Sequence, residues 1–274
     1  MMDKSAILDK LHQLPVMPLV VQEVMSSFRN PNAGSAVMAS QITHDQGLSA
    51  RVLRVANSSF YGLAREVGSI QDAVTVLGFD TVRSLVVSAG FTRAFPASAE
   101  GLFDRHAYWM HSFRVATYTE ALAHCLGGAR QTSFTSGLFH DVGQLVLSIC
   151  IPDKFAELLL RQKDSGMSLI EIERAELGFD HAEIGAEMAK RWNFPAEIEH
   201  AINYWRTPEH EPFEQINGLV HVAVLLESGL RDGELMERIP QWLRERLQIN
   251  WKLIEPCMPQ QDELDAVARL MLES

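Results

Sequence analysis

"SGLFHDVGQLVL", residues 136–147, sets a histidine and an aspartate side by side inside an otherwise apolar run. Taken as one helix over residues 133–150, the segment puts Phe134, Leu138, Val142, Leu145 and Ile149 on a shared face. At about 100° per residue, Asp141 falls about 20° outside that face and His140 about 100° farther round, with Gln144 between them. A carboxylate turned toward a core is costly unless it is paired, hydrogen-bonded or bound to a metal. A His–Asp pair can hold a divalent cation, but a buried Asp that accepts hydrogen bonds from a neighbouring helix accounts for the same pattern.

The remaining ligands of a metal must then come from elsewhere. His111 shares a face with Val115, Tyr118, Leu122 and Cys125 and points inward. His181 opens its helix directly after the Asp180 cap, where the helix dipole disfavours a charged imidazole and favours the neutral, metal-binding form. The other histidines carry no such pattern. His200 lies opposite the Ile198, Ile202 and Trp205 face, and His221 lies off the Leu219, Val220 and Ala223 face. His12, His44, His106, His124 and His210 have no partners in sequence, so all seven are read as structural or solvated.

Working outward, the dominant period is helical and strand-like alternation is scarce, so the expected fold is all-α. Short helices are expected over Pro18 to Phe28 and Ser35 to Ile42, separated by the turn "RNPNAG", and another ends near Asn57. Ser69 with Asp72 resembles a capping box for a helix through Leu77. Gly78 suits its C-cap, and Asp80 suits the N-cap of a helix from Thr81 to about Phe91. "FPASAEG", residues 95–101, is the expected boundary between an N-terminal bundle of short helices (1–100) and a second helical set (101–230). That second set reads as helices near 104–126, 133–150, 152–164, 168–176, 181–192, 195–205 and 214–229. Ser168 with Glu171 and Asp180 with Glu183 supply caps. Residues 231–274 form a C-terminal helical extension.

Composition bounds the function. The 274 residues carry a net charge of −11, with 47% hydrophobic and 22% charged residues, which suits a globular chain and argues against extensive disorder. The acidic balance speaks against broad nucleic-acid binding and against anionic membranes. Residues 69–91 have a helix–turn–helix look, but Arg83 and Arg93 alone do not make a basic stripe. Cys125, Cys150 and Cys257 are widely spaced with no CxxC, as in reduced cytosolic proteins. The N-terminus shows no apolar signal core and no run reaches membrane-spanning length, so a cytoplasmic location is expected.

The segments "YWMHSFRVATYTEALA" and "GLFHDVGQLVL" resemble the His … His–Asp core of the HD superfamily of metal-dependent phosphohydrolases. "LPVMPLVVQEVM", "ITHDQGLSARVLRVANSSFYGL", "SIQDAVTVLGFDTVRSLVV" and "DHAEIGAEMAKRWNFPAEIEHAI" narrow the resemblance to the HDOD family, the HD-related output domain of bacterial signalling, over roughly residues 11–230. The resemblance implies an HD-domain-like helical bundle preceded by the N-terminal bundle. It implies metal ligands at His111, His140 and Asp141, with His181 matching the cyclic-dinucleotide phosphodiesterase branch and the Asp of the pair bridging two metals. It also implies a closing Asp on a later helix, where this chain has Val224. The lysine of that branch is replaced by Gln144, and Tyr204–Trp205 stand where its paired histidines would fall.

Two functions follow. The first is a bacterial signal-transduction module with a degenerate HD site, acting through an unidentified partner protein or small ligand. The second is a phosphohydrolase acting on phosphomonoesters or phosphodiesters with a reduced ligand set of His111, His140, Asp141 and His181 around Fe, Mn or Mg. The losses at Val224, Gln144 and Tyr204–Trp205 favour the first.

Overall fold

Caps and glycines set most helix ends in the computed structural model, which describes residues 4–27, 35–58, 61–96, 101–128 and 130–272. The described residues form helices and no strand, so the all-α expectation holds. The first six helices are α1 (Lys4–Lys10), α2 (Leu19–Ser27), α3 (Ser35–His44), α4 (Gln46–Ala56), α5 (Ile70–Leu77) and α6 (Phe79–Ala94). Next come α7 (Arg105–Leu126), α8 (Arg130–Phe139), α9 (Val142–Cys150), α10 (Pro152–Ser165), α11 (Leu169–Glu176), α12 (His181–Arg191), α13 (Ala196–Tyr204) and α14 (Gln215–Glu227). The chain closes with α15 (Asp232–Arg238), α16 (Gln241–Leu247), α17 (Trp251–Ile254) and α18 (Gln261–Leu272). The "RNPNAG" turn, residues 97–100 of "FPASAEG", and Ser59 and Phe60 lie outside the described residues.

The capping signals are realised at several sites. Ser69 accepts from the Asp72 N–H, Ser168 and Glu171 complete a reciprocal capping box, and Asp180 accepts from the Glu183 N–H. Asp80 is not the cap of α6. Gly78, at φ +86°, both closes α5 and opens α6, so α6 starts two residues before Thr81 and runs on past Phe91. Asp80 sits in the first turn and pairs with Arg83 at 2.8 Å. Every residue of α6 from Val82 to Thr92 is buried, Arg83 included, so this helix has no free face to lay in a nucleic-acid groove. Asn57 ends α4 and pins the following loop through two hydrogen bonds to the Val67 backbone, at 2.8 and 2.9 Å.

The 22-residue helix α7 joins two apolar clusters. Trp109, Phe113 and Ala116 belong to a core built with α1–α6, α8–α13 and the end of α18. Within it, Phe91 packs on Phe139 at 4.2 Å between ring centroids, and Phe139 meets Phe194 edge-on at 5.1 Å. Val115, Tyr118 and Leu122 face a second cluster with α14, α16 and Trp251. Buried on opposite sides, α7 has no polar stripe to mark it as amphipathic.

The single helix expected over 133–150 is broken. α8 ends at Phe139, α9 begins at Val142, and His140 and Asp141 form the turn between them. α8 packs on α7 and α9 packs on α12, and a glycine makes each approach. A Cβ on Gly137 would lie 2.7 Å from the Ala116 Cα, and one on Gly143 would lie 1.7 Å from the His181 carbonyl oxygen. The two half-helices therefore lean on different partners, and the turn between them points its side chains inward. His140 is fully buried, not rotated off the core face as one continuous helix would place it, and Asp141 is 5% exposed. Because the obstacle at Gly143 is backbone, Gly143→Ala is expected to destabilise the protein by about 3 kcal/mol or more, read as a shift in the urea midpoint at unchanged slope.

Candidate metal centre

Three imidazoles converge on Asp141, and each is held from behind by an acceptor. His140 Nδ1 donates to the Gly137 carbonyl at 2.7 Å. His111, on α7, donates from Nδ1 to the Glu227 carboxylate at 2.8 Å. His181, at the start of α12, donates from Nδ1 to Glu173 at 2.7 Å. Fixing each Nδ1 as a donor fixes the tautomer and turns each Nε2 into the site, the support that metal-ligating histidines require.

The inner nitrogens then meet other acceptors. His111 Nε2 lies 3.3 Å from His140 Nε2. His181 Nε2 lies 3.4 Å from Asp141 Oδ1. With every Nδ1 hydrogen already committed, each contact sets lone pair against lone pair unless a further proton or a metal ion stands there. His181 Nε2 and Asp141 Oδ1 are both buried without a hydrogen-bond partner. These are the signs of a place built for cations. His111, His140 and Asp141 each offer a ligand atom within 4.8 Å of the others, and among the described residues they form the one such group. His181 joins through Asp141 alone. The donor set fits one divalent ion, and its identity is not specified by the ligands.

The electrostatics agree. Burial pushes the Asp141 carboxyl up, but His140, Arg206 and His181 hold it well below the usual carboxylate range. Burial drives His140 down to about 4, so that ring is neutral and the weight falls on Arg206 and His181. Burial also opposes the charge on His181, yet Asp141 and Glu173 together push it up to about 9. The neutral form expected from its helix position is therefore overridden by two buried carboxylates, and binding an ion there would release a proton.

The other oxygen of Asp141 is differently placed. Oδ2 accepts from Gln144 Nε2 at 2.8 Å and from Arg206 Nη2 at 3.4 Å. Trp205 donates from Nε1 to the His140 carbonyl at 3.1 Å and meets the His140 ring edge-on. Gln144 and Trp205 thus close the turn by hydrogen bonding.

Glu173 and Glu227 were not visible as site residues from sequence. Glu173 had a signal, since it falls on the apolar face of α11 with Leu169 and Ile172 and is fully buried. Glu227 lies one turn beyond Val224 on α14, and Val224 itself is packed in the second cluster. Of the remaining histidines, His200 is half-buried against Tyr204 and bonded to Asn217, and His221 donates to the Trp205 carbonyl. His12, His44, His106, His124 and His210 are exposed.

Residues 14–208 match the model of the HDOD domain. The chain is similar to the solved structure of an HDOD domain protein with unknown function from Geobacter sulfurreducens, at 26% identity over 97% of each chain with a TM-score of 0.83. It is similar to a presumed phosphohydrolase from Shewanella amazonensis SB2B, at 29% identity over 98% of each chain with a TM-score of 0.82. It is also similar to a presumed signal transduction protein from Marinobacter aquaeolei VT8, at 27% identity, 98% of this chain and 64% of that one, with a TM-score of 0.80. An uncharacterized protein of Treponema pallidum (strain Nichols) is 25% identical over 244 residues, 87% of this chain and 47% of that protein, so the chain spans about half its length. No helix among the described residues is long and apolar enough to cross a membrane.

The His111–Glu227 pair generates a pH signature. Burial lowers the His111 pKa, but Glu227 more than offsets it, so the folded value lies above the ordinary 6.5. Its contribution is complete below that value and is lost as pH rises through the folded one. Burial raises Glu227, and His111 with Arg114 more than offsets that, leaving it below its ordinary 4.5. Its contribution is complete above that value and fades as pH falls through the folded one. In chelator-treated protein, Glu227→Gln is therefore expected to lose about 1 kcal/mol at pH 5 to 6, after discounting for the one-third-exposed ring. The gap should narrow as pH rises through the folded His111 value, checked by denaturation across the pH range.

Proposed function

The chain belongs to the HDOD family, and on that footing we propose that it is a signal-transduction module whose HD turn holds a single divalent ion as a structural pin. It acts through its helical surface on a partner protein or small ligand. The observation that carries this reading is the division of Asp141. Oδ1 faces the His181 imidazolium, while Oδ2, the oxygen nearer His140, carries Gln144 and Arg206. A single ion shared with His140 needs Oδ2 alone, whereas a bridging role between two ions would also need Oδ1, which His181 holds. The bridging role also needs a carboxylate where α14 presents Val224 to an apolar cluster.

A divalent ion held by His111, His140 and Asp141 would supply a Lewis acid and a water of lowered pKa. The nearby cations, the His181 imidazolium and the Arg206 guanidinium, are both drawn onto Asp141. The same reading divides the chain into an N-terminal helical subdomain (1–100), an HD-like subdomain (101–230) and a C-terminal extension (231–274). The packing of Val267, Ala268 and Met271 into the first core ties that extension back to the other two.

The second reading is a phosphohydrolase with the reduced set His111, His140, Asp141 and His181, favoured by the three imidazoles with fixed tautomers. The names of similar proteins point in both directions. Metal analysis after exposure to Mn²⁺ or Fe²⁺, with turnover of a generic phosphodiester, separates them. The expected result is a single equivalent of metal and turnover no faster than that of His140→Ala. Turnover that His140→Ala abolishes would establish the hydrolase instead.

A further inference from the structure

We propose that Arg206 is a built-in competitor for the ion, so that metal occupancy is coupled to the polar loop beginning at residue 206. This rests on the single-ion reading above and deepens it.

Arg206 follows Trp205, the C-cap of α13. Its guanidinium lies over the Trp205 ring at 4.1 Å, and its Nη2 reaches Asp141 Oδ2 at 3.4 Å. That oxygen is also the one 3.7 Å from His140 Nε2, so it is the part of Asp141 that an ion shared with His140 would use. A guanidinium and a divalent ion cannot share this position, because both are cations and both need the same lone pairs. Arg206 answers the Asp141 charge when no ion does.

Two features make the arm movable. The Arg206 side chain is 38% exposed, so water takes it back readily. Trp205 beneath it is anchored at both ends, by its Nε1 bond to the His140 carbonyl and by the His221 bond to its own carbonyl. Displacing the Arg206 side chain therefore leaves the floor in place and removes the contact that ties the start of loop 206–214 to Asp141. Gln144, the other donor on Oδ2, is neutral and can turn its amide oxygen to an ion. Arg206 has no such alternative. Metal binding would release the guanidinium to the surface at the start of "RTPEHEPFEQ", where a partner could read the change.

The test is a calorimetric titration of the full chain with Mn²⁺, comparing wild type, Arg206→Ala and Arg206→Lys, each checked for fold by circular dichroism. Competition predicts that Arg206→Ala binds Mn²⁺ about tenfold tighter or more at unchanged stoichiometry, with Arg206→Lys near wild type. Equal or weaker binding by Arg206→Ala overturns the competition and leaves the single-ion reading intact. No binding by any of the three overturns the single-ion reading and the competition with it. A second measurement uses the wild type alone. Mn²⁺ should speed tryptic cleavage after Arg206 several-fold, and a rate independent of Mn²⁺ would overturn the proposal.

Discussion

Asp141 keeps an ionised carboxylate at 5% exposure, and a charge buried to that degree has to be answered from several directions at once. His181 answers one oxygen, while Gln144 and Arg206 answer the other. Each of these groups comes from a different element: the start of α12, the first turn of α9, and the loop after α13. Remove the charge and the convergence of these elements has no electrostatic reason. The turn that carries Asp141 is itself fixed by Gly137 against α7 and Gly143 against α12, so the site and the helix packing are one constraint seen from two sides.

That constraint extends outward through α7. His111 stands on the same helix as Trp109 and Phe113, which pack into the core shared with the N-terminal helices, and as Tyr118 and Leu122, which pack against α14. Glu227 ties the last turn of α14 to His111, and Arg114 on α7 pairs with both Glu227 and Asp265 of α18. A change at the inner face of His111 is thus connected by packed side chains and ion pairs to α14 and to the C-terminal helix. Such a network gives a small change of charge at the turn a physical route to distant surfaces, through rigid elements.

Much of the architecture was legible in sequence because helix ends have local causes. Ser69, Ser168 and Asp180 cap where their side chains say they should, since a cap needs only a hydroxyl or carboxylate and an N–H three residues on. The break at His140–Asp141 was not legible, because the apolar period of Leu138, Val142 and Leu145 runs through it and the interrupting partners lie far off in the chain, at Ala116 and His181. The inward Asp141 was found by the wheel. The buried His140 was missed by it, since a wheel applies only to a continuous helix. His181 was found as a residue but misjudged in charge. The helix dipole is a local influence, and the two carboxylates that overrule it, Asp141 and Glu173, are visible only in three dimensions.

The facing acceptors explain how the turn keeps its shape with or without an ion. Between His111 and His140, and between His181 and Asp141, the geometry calls for positive charge, and a proton or a metal ion can supply it. Glu227 and Glu173 stabilise the protonated forms by the same hydrogen bonds that would orient the rings for a metal. An arrangement of this kind does not collapse when its ion is absent, because imidazolium and guanidinium charges hold the carboxylate in place. The acceptors of Asp141 are committed in this way, Oδ1 to His181 and Oδ2 to Gln144 and Arg206, so the charge balance of the turn does not depend on an ion.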